Sequence, residues 1–109
     1  MNPKNQAQAR QQVRHLLNIP RIAKAGPYQN AATRRQSARR AEAVAEAIWR
    51  EFNVGIYRWR TRHLRWYAST KLVQLAPGTR YQYLLAIRRV LGALGKDHLY
   101  QLVVDDFGV

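Results

Sequence analysis

Cysteine is absent from this chain. Disulfides and thiolate metal sites are therefore excluded, and a reducing compartment is compatible but not required. Acidic residues are scarce: 6 Asp and Glu stand against 19 Lys and Arg. No apolar run approaches the roughly 20 residues of a membrane span, and the N-terminus lacks an apolar signal-peptide core. Internal repeats, glycine-rich phosphate loops and coiled-coil heptads are missing as well.

Enzyme readings fail on inventory. The carboxylates Glu42, Glu46, Glu51, Asp97, Asp105 and Asp106 divide between one long helical segment and the tail. That leaves no converging pair for acid–base work. His15, His63 and His98 are far apart and lack HExxH-like spacing, so no metal site is expected. Ser37 and Ser69 have no base-bearing motif around them, and no cofactor motif occurs. The role checklist for active sites is unfilled, and no catalysis is expected.

What is present is positive charge. The formal net charge is +13 over 109 residues, with a pI of about 11.3. Length allows one small domain with a modest core. Such a charge calls for a polyanionic partner, nucleic acid ahead of an anionic membrane. Arginine outnumbers lysine heavily, which favours forked contacts to phosphate and guanine over simple charge attraction.

Thr61 to Gly95 is the centre of this pattern. Leu64, Tyr67, Ala68 and Leu72 recur at the spacing of one helical face, and so do Leu84, Ile87, Leu91 and Leu94, predicting helices over 61–73 and 77–94. Arg62, Arg65, Lys71, Arg80, Arg88 and Arg89 surround these stripes without one acidic residue. Pro77 suits the first helical position. Gly78, Thr79 and Arg80 follow it, and such a helix start with arginine beside it reads either as a phosphate site or as an ordinary solvated helix start.

Upstream, residues 2 to 18 fit an amphipathic helix, with Asn2 as cap, Pro3 in the first turn, and Ala9, Val13, Leu16 and Leu17 as a narrow stripe. So little apolar surface implies weak docking, or ordering on a partner. A basic connector, Pro20 to Asn30, follows. The longest predicted helix spans 33–52, with Thr33 and Gln36 as a capping box. Its core stripe is Ala38, Ala41, Ala45, Ile48 and Phe52, flanked by Val44 and Trp49. Arg34, Arg35, Arg39 and Arg40 crowd its first half, against the helix dipole. Either a phosphate backbone favours them, or Glu42 and Glu46 neutralise them through i,i+3 and i,i+4 pairs.

In NVGIYRWR, Gly55 suits the helix end, and Ile56, Tyr57 and Trp59 are expected to tuck under the bundle. Alternation of Tyr57 and Trp59 with Arg58 and Arg60 also fits a base-stacking surface. His63 reads as a surface or half-buried histidine able to donate to a phosphate. Residues 97–109 combine Asp97, Asp105 and Asp106 with Leu99, Tyr100, Leu102, Val103 and Val104. A short helix, a strand and an extended tail all fit them.

The segments RHLRWYAST (62–70) and PGTRYQYLLAIRRVLGALGK (77–96), after the Thr-Arg-Arg-led helix, carry a resemblance. The layout resembles the N-terminal core-binding, SAM-like domain of tyrosine recombinases (phage integrases), as found in integrating conjugative elements. The resemblance covers roughly residues 33 to 96. It implies a bundle of about four helices that grips DNA from one side, in bacterial cytoplasm near the nucleoid. Family members carry their Arg, Lys, His/Arg and Tyr chemistry on a second domain, for which this chain has no room. Tyr100 has no His-x-x-Arg partner and reads as structural. Either a separate DNA-binding domain or a stand-alone accessory protein fits, and the initial Met1 leans toward the second.

The expectation is an all-α bundle: an N-terminal helix and connector (1–30), a helical core (31–96) and a tail (97–109). The expected function is non-catalytic duplex DNA binding for recombination, transfer or gene control of a mobile element. The expected contacts are Arg34, Arg35, Arg39, Arg40, Arg58, Arg60, Arg62, His63, Arg65, Lys71, Thr79, Arg80, Arg88 and Arg89. The alternatives are an adaptor that engages a recombinase or relaxase through its tail or its exposed aromatic side chains, and a binder of structured RNA.

Overall fold

A computed structural model describes residues 2–17 and 31–107, with the side chains of 31–34 and 105–107 outside the description. Among the described residues the chain is all-helical, with no strand. The helices are α1 (Gln6–Leu17), α2 (Ala31–Phe52), α3 (Thr61–Thr70), α4 (Pro77–Leu94) and α5 (Asp97–Phe107), with 3₁₀ turns at Ile56–Arg58 and Leu72–Gln74. Among the described residues there are five α-helices against the expected bundle of about four, because residues 97–107 of the tail form a helix. The connector Pro20 to Asn30 lies outside the described residues.

The hydrophobic stripes fold inward as their periodicity requires. Ala38, Ala41, Val44, Ala45 and Ile48 of α2 meet Leu64, Tyr67, Ala68 and Leu72, and Leu84, Ile87, Val90 and Leu91 of α4, in one core. Phe52 and Trp49 are half-buried at the far end of α2. Phe52 joins α2 to α3 through an edge-on contact with Trp66, ring centroids 5.3 Å apart, a favoured aromatic geometry.

Three local expectations are corrected. Helix α1 starts at Gln6 rather than Asn2, because Asn5 Oδ1 accepts the Gln8 N–H at 2.9 Å and so caps it. Asn2 serves instead as a clamp. Its Nδ2 donates to the Asn53 carbonyl at 2.7 Å, and its Oδ1 accepts the Gly55 N–H at 3.0 Å. At α2, Thr33 lies inside a helix described from Ala31, so it is not the N-cap. At the other end Asn53, not Gly55, stops the helix: it adopts a left-handed φ of 57° and its N–H reaches the Trp49 carbonyl at 2.7 Å. Asn tolerates that conformation better than most residues.

Helix α1 docks firmly, against the expectation of weak docking. It runs antiparallel to α2: Arg14 meets Glu42 at 3.0 Å and Arg10 meets Glu46 at 3.4 Å. Val13 is fully buried, and Trp49 Nε1 donates to the Pro3 carbonyl at 3.1 Å. The Arg10 and Arg14 side chains are 41% and 60% exposed, so each pair adds at most about 1 kcal/mol. Val13 and Leu17 join α2 residues in the common core and contribute through burial. Pro3 is buried against Gly55, where a Cβ would sit 2.5 Å from Pro3 Cδ and collide with Gln12 Oε1. Gly55→Ala is expected to cost about 1–3 kcal/mol by overpacking this junction, read as a lower urea midpoint at unchanged slope.

Helix α3 ends at Thr70, one turn short of the expected 73, and the 3₁₀ turn carries Leu72 into the core. Helix α4 matches its predicted bounds, with Pro77 in the first turn. Gly95 closes it with φ 73°, and the Lys96 N–H reaches back to the Leu91 carbonyl at 2.8 Å. Gly95, in this left-handed cap, and Lys96 are the two residues between α4 and α5. Leu99 and Val103 of α5 are buried, and the helix packs on α3 and α4. Residues 97–107 thus form part of the folded body, held by Leu99 and Val103, one helical turn apart.

Candidate nucleic-acid interface

Two helix starts meet at one surface depression of about 870 Å³. The extended residues Trp59 and Arg60 lead from the 3₁₀ turn into α3, and the Gly95 cap delivers Lys96 and His98 at the head of α5. Arg58, Arg60 and Arg62 line the depression with Lys96 and His98, and Tyr57 stands at its rim. No carboxylate lines it. Asp97, at the head of α5, does not line it, and its Oδ1 lies 3.3 Å from where a Cβ at Gly92 would lie. Positive helix ends and cationic side chains thus reinforce one another.

Lys96 ties the corner together. Its Nζ donates to the Tyr57 carbonyl at 3.0 Å and the Trp59 carbonyl at 3.3 Å. Trp59 and Ile56 are buried, whereas Tyr57 is 46% exposed. Only part of the expected aromatic plug therefore lies inside. Trp59 and His63 are each 1% exposed, and neither Trp59 Nε1 nor His63 Nε2 has a hydrogen-bond partner.

The buried position of His63 corrects the surface expectation. Its Nδ1 accepts the Arg60 N–H at 3.0 Å, which is the N3 half of a capping box. Its ring packs on Phe52 with centroids 4.8 Å apart. Burial first, then Arg62, Arg60 and Lys96, lowers its pKa from the ordinary 6.5. The unfolded chain therefore takes up a proton where native His63 does not. His63 contributes its stability in full above pH 6.5 and loses it as pH falls through the lower folded value. Melting temperature is expected to drop between about pH 7.5 and about pH 5.5. His63→Gln, whose amide oxygen can still accept the Arg60 N–H, is expected to flatten that dependence.

The other expected contacts are dispersed. Arg35 and Arg39 are exposed and Arg40 half-buried on α2, and the side chain of Arg34 lies outside the described residues. Glu42 and Glu46 do not neutralise Arg35, Arg39 and Arg40. Glu42 pairs with Arg14, and Glu46 with Arg10 and with Arg50 at 3.1 Å. Arg65 is exposed on α3, Lys71 just after it, and Thr79 in the first turn of α4. Arg80 folds back, its Nε donating to the Leu72 carbonyl at 3.1 Å and a terminal nitrogen to the Leu75 carbonyl at 3.2 Å. It thereby caps the 3₁₀ turn rather than extending the α4 start. Arg88 is exposed and lies over the Tyr100 ring, 5.4 Å from its centroid, and Arg89 is half-buried. None of these lines the depression.

Lys96 and His98 are site residues that the sequence pattern does not single out. The only local signal for them is the Gly95 helix stop, and it says nothing of the partner segment. Among the described residues no group of His, Asp or Glu could hold a metal ion, and no helix is long and apolar enough to cross a membrane. Compared with protein-family models, curated proteins and solved structures, the chain matches none of them.

Proposed function

We propose that this chain binds duplex DNA without catalysis, through its arginine-rich surface. The observation that carries the reading is the carboxylate-free depression, where Arg58, Arg60, Arg62, Lys96 and His98 gather at two helix starts. Excess charge of one sign, concentrated at a concave corner, focuses the field on a polyanion. Exposed Arg35 and Arg39 on α2 and Arg88 on α4 add positive charge elsewhere on the surface. The resemblance to the core-binding half of tyrosine recombinases supplies the setting, a mobile element whose recombination, transfer or gene expression the protein serves.

Packing of α5 against the body buries Leu99 and Val103 and so withdraws them from the tail surface that the adaptor alternative would use, whereas Leu102, Tyr57 and Tyr81 stay exposed. Titration of labelled random duplex, single-stranded DNA and matched RNA at two salt concentrations tests the proposal. Tightest binding of duplex is expected. Affinity should fall with salt at a log–log slope of about −0.9 per neutralised phosphate. A flat salt response, or preference for RNA, would sink it.

A further inference from the structure

The depression is more than a charged surface, because it carries hydrogen-bond donors that the fold itself does not use. At the head of α3 the N–H groups of His63 and Leu64 are both taken by the Arg60 carbonyl, at 3.0 and 3.3 Å. Those of Thr61 and Arg62 have no partner within the helix, as its geometry requires. Trp59 and His63 are among the residues that line the same depression, and the Trp59 indole N–H and the outer imidazole nitrogen of His63 are buried behind it without partners. Leaving such groups buried and unpaired disfavours the fold. For the Thr61 and Arg62 N–H groups, which belong to residues lining the depression, an acceptor-rich anion is the chemistry that would satisfy them. Charge alone would need only the arginines.

We propose that this depression seats one backbone phosphate of bound DNA, gripped by the peptide N–H groups at the start of α3 together with Arg60 and Arg62. The assignment rests on the DNA-binding reading above. A phosphodiester fits the donor set because its two non-bridging oxygens accept from peptide N–H and guanidinium together. Fixing one phosphate in this way sets the register of the protein on the duplex, while the dispersed arginines add affinity.

Proline at position 61 separates the peptide donor from charge. It suits the first helical position, and Arg60 already has the extended φ of −129° and ψ of 169° that a residue before proline needs. Thr61→Pro removes one N–H without altering charge, and Thr61→Ala controls for the hydroxyl. In anisotropy titrations of the full chain on duplex DNA, T61P is expected to bind about tenfold more weakly than T61A, the loss of one hydrogen bond to a charged group. The salt slope and melting temperature should stay unchanged. In the wild-type chain, the Trp59 indole proton and the Thr61 and Arg62 amide protons should shift on saturation with duplex.

T61P binding like T61A, or resonances unmoved at saturation, would overturn the phosphate seat while leaving DNA binding intact. Movement of those resonances by inorganic phosphate but not by duplex would also overturn it. Absence of duplex binding by the wild-type chain would remove both readings together.

Discussion

With Arg58, Arg60 and Arg62 all replaced by alanine, affinity for duplex DNA is expected to fall by about two to three orders of magnitude near 0.1 M salt. The three side chains are exposed and line one depression. Removing them subtracts favourable charge from a single place without opening the core. The log–log salt slope should become shallower by about 0.9 for every phosphate that is no longer neutralised. Stability should move little, because substitution of exposed side chains outside special structural roles usually stays within about 0.5 kcal/mol. The backbone of Arg60, which holds His63, is untouched. Anisotropy at several salt concentrations reads affinity and slope together. Replacing Arg35, Arg39 and Arg40 provides the comparison. If that variant loses binding and the first does not, the interface lies on α2.

Trp59→Ala is expected to have the largest effect on the fold. The indole is 1% exposed and fills the space between the 3₁₀ turn and the bundle. Emptying it should cost about 3–5 kcal/mol, transfer and cavity terms together. A domain of this size has only about 5–15 kcal/mol in total, so the melting temperature should drop by roughly 15–30 °C. Trp59→Phe keeps most of the packing and removes the unpaired indole N–H, and is expected to lose far less. Thermal and urea unfolding followed by circular dichroism decides the matter. An alanine variant as stable as the parent would mean that the ring is not part of the core.

Helices are legible in the sequence where apolar spacing is strong and punctuation local. Pro77 and Gly95 bracket α4 at its observed ends because each acts through its own backbone: one lacks an N–H, the other accepts positive φ. The end of α2 is not local in this sense. Asn53 and Gly55 both suit a helix end, and the choice depends on Pro3 and Gln12 packing against Gly55, contacts from the far end of the chain. Helix α5 is ambiguous in sequence because its short apolar run has the same composition in a strand. The surfaces of α3 and α4 resolve it by burying Leu99 and Val103.

Charge is a sum over the chain, and helical periodicity is a property of neighbours in sequence. An excess of +13, an all-helical class and the two central stripes were therefore determined by the sequence alone. Which arginines stand together was not. Arg80 turns back onto carbonyls of the preceding connection, and His63 withdraws into the core beside Phe52. Lys96 crosses to the carbonyls of Tyr57 and Trp59, bringing α5 to the head of α3. Only tertiary structure decides these, because a long flexible side chain reaches any of several partners. Its choice is set by the carbonyls, rings and helix ends that folding places within hydrogen-bond distance.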